Sequence, residues 1–233
     1  MYQIELVTGE DTKLAELIIE YPNLLEALSN LNIKLGFGEK TIREIAARYQ
    51  LNLEAFTAII CAYSNKQGVG KTVRKEALND ILVFLKNSHN SFEHKQIPEL
   101  KSLIALFANK VSEKQGSLLI SFFDGYIREV CEHFRYEEET VFPYIKAILG
   151  DHRPNGFAIR EYEKNHTDIE QKLYDLKNIL IKYMPEASDS DSLRQILHCL
   201  LAFEKQLSYH TNLEKYVLAP SVRDVEAKND KAK

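Results

Sequence analysis

The sequence predicts an all-α fold: an up-down bundle of four long amphipathic helices preceded by a small helical domain. Two observations predict it. Nine glycines and six prolines are few for 233 residues, and the stretches between them are long and rich in Leu, Ile, Glu and Lys. The longest of these stretches are separated by short loops, which favours antiparallel neighbours.

Residues 1–64 make up the small domain. Asp11 or Thr12 can cap a helix running through Tyr21, and Pro22-Asn23 restarts another over Leu24–Leu31. Gly36-Phe37-Gly38 is a turn, Thr41 caps Ile42–Tyr49, and Asn52 caps Leu53–Tyr63. A bundle this small lies near the lower size limit for independent stability. Residues 65–72 are polar and contain glycine, as a linker does. They end in Gly70-Lys71-Thr72, as a phosphate-binding loop does. That pattern requires glycine where Asn65 stands, and the chain lacks the strand–helix alternation of a nucleotide-binding sheet.

Residues 73–221 carry the four-helix bundle. The first helix is predicted over Val73–Ser91 and, past Pro98, over Glu99–Val111. The second covers Lys114–Leu149 with a kink near Pro143, and residues 150–156 form a loop. The third covers Phe157–Tyr183 and stops near Pro185. Ser188-Asp189-Ser190-Asp191 is an N-cap cluster for the fourth, Ser192–Leu218, which ends before Pro220. Residues 222–233 are charged and expected to be an unstructured tail.

Composition narrows the function classes. With 45% hydrophobic and 27% charged residues the chain is an ordinary globular sequence. A net charge of −4 leaves no basic footprint for nucleic acid. No apolar run approaches the roughly eighteen residues of a membrane span. The first residues lack the basic and apolar regions of a signal peptide, so a cytoplasmic location is expected. Cys61, Cys131 and Cys199 are far apart and form no C-x-x-C pair, which points to buried structural thiols rather than a disulfide framework.

Histidine and glutamate carry the chemical signal. Helix two contains His133-Phe-Arg-Tyr-Glu137 and helix four contains His210-Thr-Asn-Leu-Glu214. Residues four apart share a helix face, so each pair can ligate one metal or two adjacent ones. Both pairs are followed by similar endings, Val141-Phe142-Pro143 and Val217-Leu218-Ala219-Pro220, as pseudo-symmetric helices would be. Helix one offers His89 and helix three His166. Seven histidines should give fewer than one His-x-x-x-Glu by chance, yet the chain has four, because Glu93 follows His89 and Glu170 follows His166. Spacing alone therefore leaves open which carboxylates bridge, and surface His/Glu pairs remain the alternative. Imidazole with carboxylate suits iron, and two carboxylate-bridged irons suit a bundle core. His152 sits in a loop. His198 is about 18 Å along the helix from His210 by helical rise. His94, on another face from His89, is the one reserve ligand.

With these motifs the chain resembles the repair-of-iron-centres family within the hemerythrin-like HHE group, over nearly its whole length. His89 with Ile97-Pro98-Glu99-Leu100 is similar to the family's first-helix motif. His133-x-x-x-Glu137-Glu138, His166 and His210-x-x-x-Glu214 match the other three. Tyr21-Pro22-Asn23, Ile33-Lys34-Leu35-Gly36-Phe37-Gly38 and Lys40-Thr41-Ile42 follow the family's N-terminal domain, but Gly36 and Phe37 stand where it usually has a Cys-Cys pair. That departure favours a docking or dimer-forming role for the domain over thiol chemistry.

The resemblance implies a metal set of His89, His133, Glu137, His166, His210 and Glu214. Glu137 and Glu214 would bridge two non-haem irons with two histidines on each. Open positions would admit a bridging oxo or hydroxo group and a diatomic ligand, NO or O₂. Glu93 and Glu170 stay unassigned. The function implied is nitrosative or oxidative stress response, with repair of damaged iron–sulfur centres or NO handling and iron–sulfur proteins as partners. The alternatives are a sensor or storage module for O₂, NO or iron, and a metal-free bundle.

Overall fold

The computed structural model describes residues 9–64, 72–150, 158–162, 169–184 and 189–231. The expected linker (residues 65–71 of it), His152 and His166 lie outside them. The described chain is helical: α1 (Leu14–Glu20), α2 (Leu24–Asn30), α3 (Ile42–Tyr49), α4 (Leu53–Tyr63), α5 (Lys75–Ser91), α6 (Ile97–Ala108), α7 (Glu113–Tyr136), α8 (Phe142–Leu149), α9 (Ile159–Tyr162), α10 (Ile169–Lys182), α11 (Ser190–Leu213) and α12 (Ala219–Lys231). Among the described residues the nearest thing to a strand is one isolated bridge, Lys13 to Thr41.

Two compact units divide the chain. One gathers the described residues of Met1–Ser88, Phe142–Glu163 and Ser208–Lys233; the other gathers those of His89–Val141 and Lys164–Leu207. Two of the divisions fall inside continuous helices: α5 carries both Ser88 and His89, and α11 carries both Leu207 and Ser208.

In the first unit the short helices begin where local chemistry satisfies their free amides. Thr41 and Glu44 form a reciprocal capping box at α3, and the Asn52 side chain accepts from the Glu54 and Ala55 amides at α4. α1 departs from expectation. Its cap is Lys13, without a side-chain bond, because Thr12 closes the turn from Gly9 and Asp11 pairs with Arg43. Gly36 and Gly38 both hold positive φ, of 87° and 65°, which suits glycine.

The C-terminal segment differs from the expected tail. Residues from Ala219 to Lys231 are helical, with Ser221, Val222, Val225 and Glu226 buried on one stripe. Glu226 accepts from the Tyr144 hydroxyl and, at 3.3 Å, from the Ile159 amide. High charge hid this narrow stripe, since a helix that buries only one residue in three or four still reads as polar.

The second unit is built on α6, α7, α10 and α11 around one core that includes Phe107, Phe123, Phe134, Leu176 and Phe203. α7 starts at Ser112, which accepts from the Gln115 amide. At Gly116 the chain comes so close to the end of α6 that an added Cβ would lie 2.6 Å from the Ala108 carbonyl oxygen. α11 starts where Asp189 accepts from the Asp191 and Ser192 amides at 3.1 Å, the N-cap cluster expected from sequence.

One local device recurs on three helices. α5 passes into α6, α7 into α8, and α11 into α12 through π-helical turns: Phe92–Gln96, Glu137–Val141 and Glu214–Leu218. Each turn begins six residues before a proline, Pro98, Pro143 and Pro220. Proline has no amide hydrogen, and its ring crowds the carbonyl four residues back. The residue before it bonds five residues back instead, Ile97 to Phe92 and Ala219 to Glu214. The helix therefore widens rather than breaks, as happens often at functional sites.

Candidate metal centre

Each of the two His/Glu pairs ends at a widened turn. Glu137 and Glu214 are the first residues of their π turns, with His133 and His210 four residues earlier. In the same register α5 carries Ser88 and Phe92, and His89 stands one position later. The prolines thus set three helices to a common local geometry, two of them bearing imidazole and carboxylate.

Within the second unit, Glu137 is fully buried and meets two imidazoles. His133 Nε2 lies 3.1 Å from one of its oxygens and His89 Nε2 lies 3.1 Å from the other. His89 is also fully buried, and its Nδ1 lies 3.0 Å from Glu138. Its ring stacks on Phe134 at 4.2 Å and 15°, which fixes the plane of the imidazole. His133 is the more open member, with its side chain 13% exposed. Burial opposes a charge on Glu137, but the bonds to His133 and then His89 outweigh it and hold the carboxyl well below the usual range.

Within the first unit, His210 Nε2 lies 3.1 Å from Glu214, and both side chains are buried. His210 Nδ1 faces the hydroxyl of Ser88 at 3.1 Å. Both histidines therefore present Nε2 to a carboxylate and Nδ1 to an outer partner, the arrangement that fixes the tautomer of a metal-binding imidazole.

Ligand atoms of His89, Glu137, His210 and Glu214 all lie within 4.8 Å of one another. The donor set fits a metal cation. Two carboxylates and two imidazoles are buried together, and burying ionised carboxylates costs several kcal/mol each unless a cation compensates. Imidazole nitrogen with carboxylate oxygen is the donor mixture that iron and its neighbours accept.

Five of the six residues expected as ligands are described. Four lie in this cluster, and His133 joins it through Glu137. The sixth, His166, falls outside the described residues, as does the side chain of Glu170. His94 and His198 are exposed, so the reserve ligand is not brought in. Glu93 lies beside Cys131, whose thiol is pushed up first by burial and then by that carboxylate's charge. Ser88 went unremarked in the sequence, although its place ten residues before Pro98 matches those of His133 and His210 before their prolines.

Fold and site together define a helical metal-binding protein. The family profile "Hemerythrin HHE cation binding domain" matches residues 84–222, more than half of the chain, and the chain belongs to that family. Among curated relatives, the iron-sulfur cluster repair protein YtfE of Musicola paradisiaca (strain Ech703) is 24% identical over 214 residues, 90% of this chain and 95% of the relative. The proteins of that name from Yersinia pseudotuberculosis serotype IB (strain PB1/+) and Yersinia pestis (strain Pestoides F) are each 22% identical over 189 residues, 78% of this chain and 83% of theirs. No solved structure matches the chain significantly. No described helix is long and apolar enough to cross a membrane.

Proposed function

We propose that this protein holds two non-haem irons on His89, His133, Glu137, His166, His210 and Glu214, and that it serves the repair of iron–sulfur centres damaged by nitrosative or oxidative stress. The buried His/Glu cluster carries the reading, and the name shared by the full-length relatives gives it direction. Incompletely coordinated iron in such a site would supply a redox-active centre able to bind NO or O₂ and to be released.

The chain's own residues do the rest. Glu137 and Glu214 bring negative charge where the cations must sit, and the histidines add neutral donors that make the site selective for transition metals. Glu138 accepts the Nδ1 proton of His89 and so turns Nε2 inward. The partly open His133 gives the cluster an edge toward solvent through which metal or a small ligand can pass. We further assign residues 1–64 and 73–221 to separate domains of one functional protein.

The test is to purify the protein without oxygen, count iron per chain, and incubate it with an apo iron–sulfur protein. Near two irons per chain, with activity returning to the apo partner, is the expected result. Tightly held iron that never reaches the partner would refute repair, and failure to take up ferrous ion would refute the metal centre.

A further inference from the structure

Ser88 occupies the ligand register of its helix yet brings no ligand of its own. It is buried at 1% exposure, and its oxygen lies 3.1 Å from Nδ1 of His210. With a metal on Nε2 of His210 beside Glu214, Nδ1 would carry the proton and donate to the Ser88 hydroxyl. The hydroxyl of Tyr63, a fully buried residue at the end of α4, faces Ser88 in a contact looser than the Ser88–His210 bond. The same ring packs on Tyr209, the neighbour of His210, at 5.1 Å. Asn23, just before α2, donates to the Tyr209 hydroxyl at 2.9 Å. Two of the N-terminal helical segments therefore converge on the one turn of α11 that presents His210.

We propose that Ser88 and Tyr63 are positioning residues for His210, so that the N-terminal helices govern how firmly the His210–Glu214 end of the centre retains its metal. This rests on the metal reading above. It gives the N-terminal segment a task that needs no cysteine pair. A hydroxyl is a weaker acceptor than the carboxylate that serves His89, so the ring of His210 depends more on being held in place by its surroundings.

The experiment uses the full-length chain loaded with ferrous ion under anaerobic conditions, wild type against Ser88→Ala, Tyr63→Phe and the double variant. Two readouts are taken: the rate of iron loss to an excess of chelator, and the histidine Nδ1–H proton resonances of the zinc-loaded, ¹⁵N-histidine-labelled protein. Ser88→Ala is expected to release iron about tenfold faster and to lose or shift one hydrogen-bonded Nδ1–H resonance while keeping its helix content. Tyr63→Phe should move both readouts the same way by less, and the double variant should match Ser88→Ala alone. Iron loss at the wild-type rate with all resonances in place, or a Tyr63→Phe effect that adds in full to that of Ser88→Ala, would overturn the inference while leaving the metal centre standing. A wild-type chain that takes up neither metal would defeat the metal reading, and this inference with it.

Discussion

The pairs His133/Glu137 and His210/Glu214 share spacing, π turn and proline, but their surroundings differ. Glu137 has two imidazoles on it, and one of these, His89, is backed by the carboxylate of Glu138 and stacked on Phe134. Its partner His133 is partly open. Glu214 has His210, which is buried and backed by the neutral Ser88 among the aromatic side chains of Tyr63 and Tyr209. The same local code thus yields one partly accessible pair whose neighbouring imidazole is backed by a carboxylate, and one enclosed pair backed by a neutral hydroxyl. Backbone geometry comes from the helix itself, whereas basicity and access come from whatever packs around it.

Several substitutions would break or sharpen that contrast. Removing a carboxylate should have the largest effect: Glu137→Ala and Glu214→Ala are each expected to lower iron per chain more than tenfold, read by metal analysis after gel filtration. If only one of them did so, the two pairs would not serve a common centre. His133→Ala should come next, with iron lost and the visible spectrum of the loaded protein altered, since it deletes a donor at the accessible edge.

Glu138→Gln tests the anionic backing. It keeps an acceptor but removes the charge, so metal affinity should fall about tenfold, or about 1.4 kcal/mol, in competition with a chelator. An unchanged affinity would make Glu138 a bystander. Gly116→Ala tests the frame of the second unit without touching a ligand. With a Cβ contact at 2.6 Å to a backbone oxygen, it should cost about 1–3 kcal/mol in chemical denaturation and leave iron per chain unchanged. Thr41→Ala is the mildest, about 1 kcal/mol from the lost capping box, read as a lower Tm.

Much of this was legible in the sequence. α3 and α4 lie where their caps place them, since Thr41 and Asn52 act on amides two or three residues away. His133/Glu137 and His210/Glu214 could be paired because a spacing of four on a helix fixes a common face. The endings Val141-Phe142-Pro143 and Val217-Leu218-Ala219-Pro220 showed that two helices were alike, and the structure adds that Pro98 sets the same turn on a third. The helical C-terminal segment was not legible. Its buried stripe is outnumbered by charge, and only the packing of Glu226 against Tyr144 and Ile159 reveals it.

Local information is complete in the sequence: propensity, capping, the proline-induced widening and the four-residue pairing all act within one or two helical turns. The sequence by itself therefore determined an all-α chain with imidazole–carboxylate pairs poised on separate helices. What only the tertiary structure decided is which groups meet across long separations. Ser88 reaches His210 and Glu138 reaches His89 because helix packing brings together residues 122 and 49 positions apart. No periodicity encodes such contacts, since they arise from the burial of the whole apolar face of each helix and not from any neighbour along the chain.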